Sequence, residues 1–345
     1  MKKLKNKGIF IFVAACVILY VIIYVVPKLT GLMTVTYSAE YGELSINDVT
    51  TGYLVRSEKV YTAVESGAVT RVKNEGDLVR VGTAPVTVES GTALEPSEQL
   101  TSIKDKLGEN VLAVSGYYVQ TGGIVSYYTD GYEAELTPDT IQNFDYSYFS
   151  AITQDSVVSL DSGSCRTDYP IFKVISNGGW RLVAFVPVEH AERYTVGNTV
   201  RVIFDPDDGA GTSMAESEAG AIAMDVVSVE KGSENVKLVL GCDMYFDDLG
   251  KYRAANVRIV SDSVRGLLLS SGSITEKDGK RGVYLKDKKG KYYFIQVEEI
   301  GTDGNITAVT PSQFYDEEGN LVRTLDPYDD VLKDPSDAIK SEAGS

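Results

Sequence analysis

The chain has 345 residues, with 33 Lys and Arg against 49 Asp and Glu and a formal net charge of −16. This acidic balance argues against a nucleic-acid-binding protein, because phosphate neutralisation needs a clustered positive surface. Apolar residues make up 43% and charged residues 24%, which excludes full disorder and a polytopic membrane protein. One His and three Cys leave little for zinc sites or catalytic triads. We therefore predict a protein of about two to three domains that is not an enzyme and holds no cofactor or metal ion.

The N-terminus has the pattern of a membrane anchor. Residues 1–7 include four Lys, and the following 19 residues, 8–26, carry no charge. As a helix this run is roughly 28 Å long, close to the ~30 Å hydrocarbon core of a bilayer. The positive-inside rule places the N-terminus in the cytoplasm and the rest of the chain outside. The sequence thus predicts a single-pass protein of the cell membrane that contacts the lipid bilayer through residues 8–26.

Two alternatives compete with an uncleaved anchor. A cleaved secretory signal has an apolar region of about 7 to 15 residues, shorter than the run found here. A lipoprotein signal is suggested by residues 13–16, which resemble a lipobox ending at Cys16. Ten more apolar residues follow this cysteine, whereas a mature lipoprotein normally begins with a polar tether. The length of the apolar run favours the uncleaved anchor.

Beyond the anchor, apolar and polar residues alternate in short runs that Gly, Asn or Asp interrupt. Examples are residues 67–72, 180–186, 199–204 and 292–297. Such spacing is typical of small β-sandwiches or barrels, and the 22 Tyr suit half-buried pleated surfaces. We therefore predict a mainly β protein beyond the anchor.

Three segments depart from the β pattern. Residues 95–110 place Leu100, Ile103 and Leu107 on one face, which predicts a short amphipathic helix. Residues 138–152 form a second helix candidate, with Thr137 as its cap candidate. The acidic tail has no core-forming run, and we predict a disordered, solvated end.

Residues 52–89 and 111–136 form two matching half-motifs. The first half combines a Ser-Gly turn at Gly67 with a tight loop at 75–77. The second contains Gly-Ile-Val-Ser from Gly123 and Asp-Gly-Tyr-Glu from Asp130. With a helix between them, the halves resemble the split biotinyl/lipoyl-like domain of HlyD-like membrane fusion proteins, the adaptor subunits of export systems. The resemblance implies that the turn residues of this module are structural determinants, namely Gly67, Gly76, Asp77, Gly123, Asp130 and Gly131.

The remaining segments resemble the other domains of this family in the family's order. Residues 172–204 look like the adjoining β-barrel, and residues 266–284 look like the membrane-proximal strands, although Ser270 to Ile274 replace a Pro-x-x-Ala motif. The resemblance implies the following division: 1–30 cytoplasmic basic tail and transmembrane anchor, 31–50 juxtamembrane segment, 51–137 lipoyl-like β module with a helical insertion at 91–110, 138–163 linker, 164–262 β-barrel domain, 263–326 membrane-proximal β domain and 327–345 disordered tail.

The connector between the two half-motifs, residues 90–110, departs from part of the family. Its 21 residues allow one helix of at most roughly 30 Å. Relatives with long hairpins use two long antiparallel helices to reach an outer-membrane channel. We therefore expect either a single-membrane cell or a different partner for this protein.

Candidate chemical sites have simpler explanations. Lys106 lies inside the predicted helix, so we interpret it as a solvated charge and expect no lipoyl or biotinyl group. A lone histidine, His190, predicts a turn or surface residue rather than a metal ligand. The acidic residues at 205–209 and 247–248 fit no calcium loop and indicate turns. Cys165 and Cys242 either form a disulfide or are both free and buried.

The sequence thus favours a non-enzymatic, membrane-anchored adaptor. Its extracytoplasmic β domains would assemble around or against a membrane transporter, of ABC type, with the protein forming a homo-oligomer. The alternative is an extracytoplasmic envelope scaffold for cell division or wall assembly that has the adaptor fold and no transporter. The order of the modules favours the adaptor, and the short connector favours the scaffold.

Overall fold

The computed structural model describes residues 12–13, 15–20, 35–153, 156–160, 163–204, 221–245, 249–287 and 290–343. Most of the predicted anchor, and the acidic segments 205–209 and 247–248, lie outside the described residues. Residues 12–13 and 15–20 are helical. Among the helices that are described, none has both the length and the apolar character that a membrane crossing needs.

The chain folds into two compact units. The central unit is Asn47–Ser261, and the terminal unit combines Met1–Ile46 with Asp262–Ser345. The boundaries between the units fall within the strands Glu40–Val55 and Ala254–Ser270. Both units are mainly β, as predicted. The finer domain boundaries inferred from the resemblance stay predictions.

Strands and helices are numbered in chain order. The first part of the chain forms β1 (Thr36–Ser38), β2 (Glu40–Val55), β3 (Glu58–Thr62), β4 (Gly67–Arg71), β5 (Leu78–Val79), β6 (Val86–Ser90), α1 (Glu98–Leu107), β7 (Val111–Ala113), β8 (Gly123–Ser126), β9 (Tyr128–Thr129), α2 (Tyr146–Ser150), β10 (Val158–Ser159), β11 (Ser164–Cys165) and β12 (Pro170–Ser176). The second part forms β13 (Trp180–Pro187), β14 (Thr199–Phe204), β15 (Ile222–Lys231), β16 (Asn235–Cys242), β17 (Ala254–Ser270), β18 (Thr275–Lys277), β19 (Lys280–Lys286), β20 (Tyr292–Gln296), β21 (Glu299–Asp303), β22 (Ile306–Val309), β23 (Gln313–Tyr315), β24 (Leu321–Arg323), β25 (Asp330–Leu332) and α3 (Ser336–Ala343).

Six strands of the central unit close into a barrel. Their order is β14-β15-β16-β13-β2-β17, and pairing of β14 with β17 completes the ring. Strand β13 pairs with β16 without a register break, from Trp180↔Cys242 to Pro187↔Asn235. Leu182, Ala184 and Val186 alternate along β13 and lie in the apolar core of the barrel. The period-two pattern of the sequence therefore produces the barrel interior.

Two sheets beside the barrel form the module that the half-motifs predict. One sheet has the order β5-β8-β12-β3-β7, and the other has the order β11-β4-β6. The first half-motif supplies β3 to β6 and the second supplies β7 and β8, so each half contributes to the larger sheet. Tyr61 and Phe172 stack between neighbouring strands of that sheet with ring centroids 4.5 Å apart. We call these two sheets and α1 the sandwich module.

Helix α1 connects the halves and confirms the predicted helix at 95–110. Its N-cap is Ser97, whose hydroxyl accepts a hydrogen bond from Leu100 N at 3.1 Å. Ile103 and Leu107 are buried against Val60 of β3. The helix ends at Gly108, which has a φ of 53°.

The prediction of one helix over 138–152 is wrong. The chain instead forms a 3₁₀ turn at Ile141–Asn143 and the short helix α2. Phe144 between them has extended backbone angles of −114° and 136°. The N-cap of α2 is Asp145, not Thr137, and it accepts from Tyr148 N at 3.2 Å. Tertiary contacts decide this shape, because Lys237 Nζ donates to the carbonyl oxygens of Ile141 and Phe144 at 2.8 and 2.9 Å.

The predicted disorder of the tail, residues 327–345, is wrong for the segment up to residue 343. Strand β25 pairs antiparallel with β1, with Leu332 opposite Thr36. Val331 and Leu332 are buried, and Ala338 of α3 packs with Leu332 and Tyr284. A few apolar residues are sufficient here because they add to a sheet that already has an apolar core.

Candidate functional site

Six charged side chains are buried together inside the central unit. They are three bases and three acids, so their formal charges cancel, and we call them the charge network: Arg56, Glu58, Asp130, Glu133, Lys173 and Arg253. Arg56, Lys173 and Arg253 each have 0% relative exposure. Removing charges from water is costly unless they are paired and hydrogen-bonded, so the geometry of these pairs decides whether the fold is stable.

Arg253 connects two acids of the network. Its Nε donates to Asp130 Oδ2 at 2.7 Å, and its Nη2 donates to Asp130 Oδ1 at 3.1 Å, a two-point contact. The same Nη2 donates to Glu58 Oε2 at 2.5 Å. Its Nη1 donates to Leu54 O at 3.0 Å. The guanidinium therefore links the end of β2, the start of β3 and the loop after β9.

Lys173 and Arg56 complete the pairing around Glu58. Lys173 Nζ lies 2.8 Å from Glu58 Oε1 and 3.2 Å from Glu133 Oε1. Arg56 Nη2 lies 3.3 Å from Glu58 Oε1, and its Nη1 donates to the carbonyl oxygen of Leu249. Glu58 thus contacts all three bases of the network and is its centre.

The ionisation of the network follows from these contacts. Burial alone would raise the pKa of Asp130, but Arg253 and Lys173 lower it below its ordinary value. Burial also opposes ionisation of Glu58, yet Arg253, Arg56 and Lys173 together lower its pKa. Burial would lower the pKa of Arg253, but Asp130 and Glu58 raise it well above the ordinary value. Burial dominates at Arg56 and lowers its pKa. These directions favour ionised side chains for Glu58, Asp130 and Arg253.

The loop that carries Asp130 and Gly131 is held by its own carboxylates. Glu133 accepts from Asp130 N at 3.0 Å, from Gly131 N at 2.8 Å and from the hydroxyl of Thr129 at 2.7 Å. Asp130 Oδ1 accepts from Tyr132 N at 2.9 Å. Gly131 has a φ of 84°, a conformation that suits glycine. The two turn residues predicted from the sequence therefore belong to the network loop.

The other predicted turn residues lie elsewhere in the sandwich module. Gly76 has a φ of 83°, and its N donates to Val125 O at 3.0 Å. Asp77 Oδ2 accepts from Asn74 N at 2.9 Å, which closes the loop before β5. A Cβ on Gly67 would lie 1.9 Å from Glu89 O, and a Cβ on Gly123 would lie 2.1 Å from Ile175 O. All of these positions have structural contacts, but only Asp130 and Gly131 meet the charge network.

Sequence reasoning missed most of the network. Arg56 and Glu58 lie within the first half-motif and Glu133 ends the Asp-Gly-Tyr-Glu motif, but neither motif indicates that these charges are buried. Lys173 carried a usable signal, because it is a lone charge between Phe172 and Val174 in a strand whose other residues are apolar until Ser176. Nothing in the sequence links Arg253 to residues more than a hundred positions earlier.

The single histidine is part of a second polar cluster in the central unit. His190 Nδ1 lies 2.5 Å from Oδ1 of the buried Asp48, and the hydroxyl of Tyr194 donates to Asp48 Oδ2 at 2.5 Å. Arg193 Nη1 lies 3.5 Å from the same carboxylate. His190 lies in the 3₁₀ turn Val188–Arg193, so its prediction as a turn residue is confirmed. Among the described residues, no group of three or more His, Cys, Asp or Glu side chains is arranged so that it could hold a metal ion.

Of the two alternatives for Cys165 and Cys242, a disulfide or two free thiols, the structure has free thiols. Cys165 and Cys242 are both free and buried, and neither forms a disulfide. Burial raises the pKa of both thiols. Cys165 lies in the apolar core of the sandwich module, and Cys242 lies in the core of the barrel.

Lys106 lies on α1, with its Nζ 5.0 Å from the ring centroid of Tyr132.

One comparison with known families decides the nature of the sandwich module. Residues 58–176, from β3 to the end of β12, match the family model of the "RND related, barrel-sandwich hybrid domain". This segment is a barrel-sandwich hybrid domain. The match covers residues 58–89 of the first half-motif, the whole of the second and α1, and it confirms for this domain the predicted resemblance to membrane fusion proteins. The charge network joins this domain, through Glu58, Asp130, Glu133 and Lys173, to Arg56, which directly follows the barrel strand β2, and to Arg253, which directly precedes the barrel strand β17.

The solved structures that match this chain have low sequence identity to it. ZneB from Cupriavidus metallidurans is 12% identical, with 87% of this chain and 92% of that chain covered and a TM-score of 0.26. MacA from Actinobacillus actinomycetemcomitans is 11% identical, with 87% and 99% covered and a TM-score of 0.38. The membrane fusion protein Spr0693 from Streptococcus pneumoniae R6 is 12% identical, with 61% and 97% covered and a TM-score of 0.24. No curated protein matches the chain.

Proposed function

We propose that this protein is the membrane-anchored, non-enzymatic adaptor subunit of an export system. The observation that carries the proposal is the barrel-sandwich hybrid domain at residues 58–176, whose two halves are separated by α1. An adaptor acts by assembly geometry, so its requirement is a rigid scaffold with fixed surfaces rather than a reactive group. Within the central unit, the charge network meets this requirement by joining the hybrid domain to the barrel through buried ion pairs.

The partner in this proposal is a membrane transporter of ABC type. Residues 8–26 anchor the chain in the cell membrane with the N-terminus in the cytoplasm, and the β domains assemble outside as a homo-oligomer around or against the transporter. The charge pattern of residues 1–28 supports this orientation, because four Lys precede the apolar run, only Lys28 follows it and the segment has no acidic residue.

A second candidate is an extracytoplasmic envelope scaffold for cell division or wall assembly. The length of α1 favours it, because the ten residues from Glu98 to Leu107 span only about 15 Å. An insertion of this size does not provide the long helical hairpin that reaches an outer-membrane channel. The adaptor proposal accommodates the same observation if the protein works at a single membrane.

The test is an affinity pull-down of the full-length protein from its native membrane in mild detergent, with mass spectrometry of the proteins that copurify. Recovery of the membrane and ATPase subunits of a transporter supports the adaptor. Recovery of division or wall proteins without a transporter contradicts it and supports the scaffold. A matched pair of variants distinguishes specific from adventitious capture: Lys173→Met disrupts the charge network, and Lys231→Met removes an exposed lysine of the same unit. Specific partners should be lost only with Lys173→Met.

A further inference from the structure

The hybrid domain contains a cavity of about 270 Å³ between the first turn of α1 and the strands β4, β11 and β12. The segment around β10 forms another of its walls. Its walls include the apolar side chains of Leu100, Val158, Leu160 and Ile171. Cys165 also lines it, with 7% relative exposure. The cavity is separate from the charge network, none of whose residues lines it.

The way α1 packs explains why this space is open. Ile103 and Leu107, in the later turns of the helix, form a buried cluster with Val60. Val111 and Val158 pack against this cluster. The preceding segment is not held in the same way, since Leu94 is 68% exposed and Leu100 is only half-buried. Two buried side chains therefore hold the later turns of the helix, whereas the half-buried Leu100 in its first turn leaves part of the space beneath it open. The apolar side chains that face this gap have no van der Waals contacts across it. A ligand in the gap would supply such contacts.

The mouth of the cavity determines the charge of a suitable ligand. Glu95 and Arg166 line it and form an ion pair with each other. Because Glu95 and Arg166 neutralise each other's charge, the mouth of the cavity favours neither an anionic nor a cationic ligand. The hydroxyl-bearing side chains of Ser97, Ser164 and Tyr169 also line the cavity, and the Ser97 hydroxyl, which accepts a hydrogen bond from Leu100 N, can also donate one. The chemistry fits an uncharged molecule with an apolar body and one polar group.

The volume sets the size of the ligand. A closed apolar cavity of ~150 Å³ is sufficient to bind benzene, and the larger cavity beside Cys165, whose walls carry both apolar and polar side chains, has room for a second ring and a polar group. We propose that the cavity beside Cys165 and Leu100 binds a small, uncharged, mainly apolar molecule of the size of naphthalene. This site does not depend on the adaptor function, because its contacts lie entirely within residues 69–171 of the hybrid domain.

Cys165 allows a direct test, with Cys242 as an internal control. Both thiols are buried and have a raised pKa, but Cys242 lies in the barrel core and does not line the cavity. The experiment uses full-length protein in lipid nanodiscs with Cys16→Ser, which leaves these two thiols. Alkylation by N-ethylmaleimide is followed at each cysteine by peptide mass spectrometry, with increasing 1-naphthol as the probe. We expect saturable slowing at Cys165, about tenfold when free naphthol is ~10 times its Kd, and no slowing at Cys242.

Two substitutions on α1 separate binding in the cavity from effects elsewhere. Leu100→Trp fills the cavity and should abolish protection of Cys165, whereas Ser102→Trp, at an exposed position outside the cavity, should preserve it. Circular dichroism of each variant checks that it is folded. The proposal is overturned if naphthol does not protect Cys165, if it protects Cys242 equally, or if protection persists in Leu100→Trp. Absence of any Cys165 alkylation without naphthol also overturns it, because the cavity would then be closed to molecules of this size.

Discussion

Arg253 and Asp130 form a two-point ion pair, with distances of 2.7 and 3.1 Å, although 123 positions separate them in the chain. Both side chains have 0% exposure. Asp130 belongs to a loop that sequence patterns identify only as a turn, and Arg253 directly precedes the barrel strand β17. Their contact makes the turn of the hybrid domain part of its attachment to the barrel, within one compact unit.

Lys173→Met should strongly destabilise the central unit. The substitution leaves Glu58 and Glu133 without the ammonium group that lies 2.8 and 3.2 Å away. Loss of one partner from a buried ion pair typically costs about 3–5 kcal/mol, because the remaining charge is uncompensated. The free energy of unfolding can be measured in urea by the fluorescence of Trp180, the only tryptophan, which is buried in the barrel.

Lys231→Met is the matched control for this experiment. Lys231 pairs with Glu192 at 2.7 Å, but the side chains are 56% and 88% exposed. Exposed pairs contribute about 0–1 kcal/mol, so this variant should unfold close to the parent. Equal losses in the two lysine variants would contradict the importance of the charge network.

The central unit should lose stability in acid through Asp130 and Glu58. Their pKa values in the folded protein lie below the ordinary values of 3.8 and 4.5. The unfolded chain therefore binds more protons than the folded chain once the pH falls through these ordinary values. Their stabilising contribution is complete above about pH 5 and decreases with falling pH, by at most about 1.4 kcal/mol per pH unit for each carboxylate.

Urea unfolding between pH 7 and pH 3 measures this dependence. Asp130→Asn should be less stable at pH 7 and should show a weaker decrease in acid, because one of the two carboxylates is gone. Glu234→Gln, which removes an exposed acid, controls for the loss of a negative charge. A pH profile of Asp130→Asn that is parallel to the parent profile would refute the assignment.

Gly123→Ala should destabilise the hybrid domain far more than Gly122→Ala. A Cβ at Gly123 would lie 2.1 Å from Ile175 O, a backbone atom of the neighbouring strand β12. The strands must separate to accept it, with an expected cost of about 3 kcal/mol or more. At Gly122 the nearest atom, Val79 O, is 3.4 Å away, so we expect a change of about 0.5 kcal/mol or less. Thermal unfolding of the two neighbours is the measurement, and similar melting temperatures would show that the close approach is not required.

Tyr194→Phe should weaken the cluster around Asp48. The lost hydroxyl donates to Asp48 Oδ2 at 2.5 Å, and a buried hydrogen bond to a carboxylate contributes about 2 kcal/mol. The imidazole resonances of His190, the only histidine, report on the same carboxylate and should shift in NMR spectra of this variant. Tyr118→Phe, at a side chain that is 52% exposed, should change neither stability nor the resonances. Unchanged His190 resonances in Tyr194→Phe would exclude coupling through Asp48.

Helix α1 is an element that the local sequence is sufficient to predict. Its apolar face, its Ser cap and its terminal glycine are all encoded within residues 95–110, so the sequence predicted it. The segment 138–152 has similar local signals but forms a turn and a short helix, because Lys237 and the aromatic side chains of the barrel face supply stronger contacts. In the tail, too, tertiary contacts outweigh the local sequence. Its composition predicted disorder, and pairing of β25 with β1 ordered it.

The sequence by itself determined the β architecture, the split hybrid domain, its connecting helix and the turns that need glycine. These features depend on periodicity, backbone freedom and short-range capping, which act between residues that are near one another in the chain. Only the tertiary structure decided which charges meet. The network around Glu58, the contact of His190 with Asp48 and the cavity beside Cys165 all join side chains from distant segments. Burial in a low-dielectric interior gives such contacts their strength, and the sequence does not specify in advance which of its many charges will be buried together.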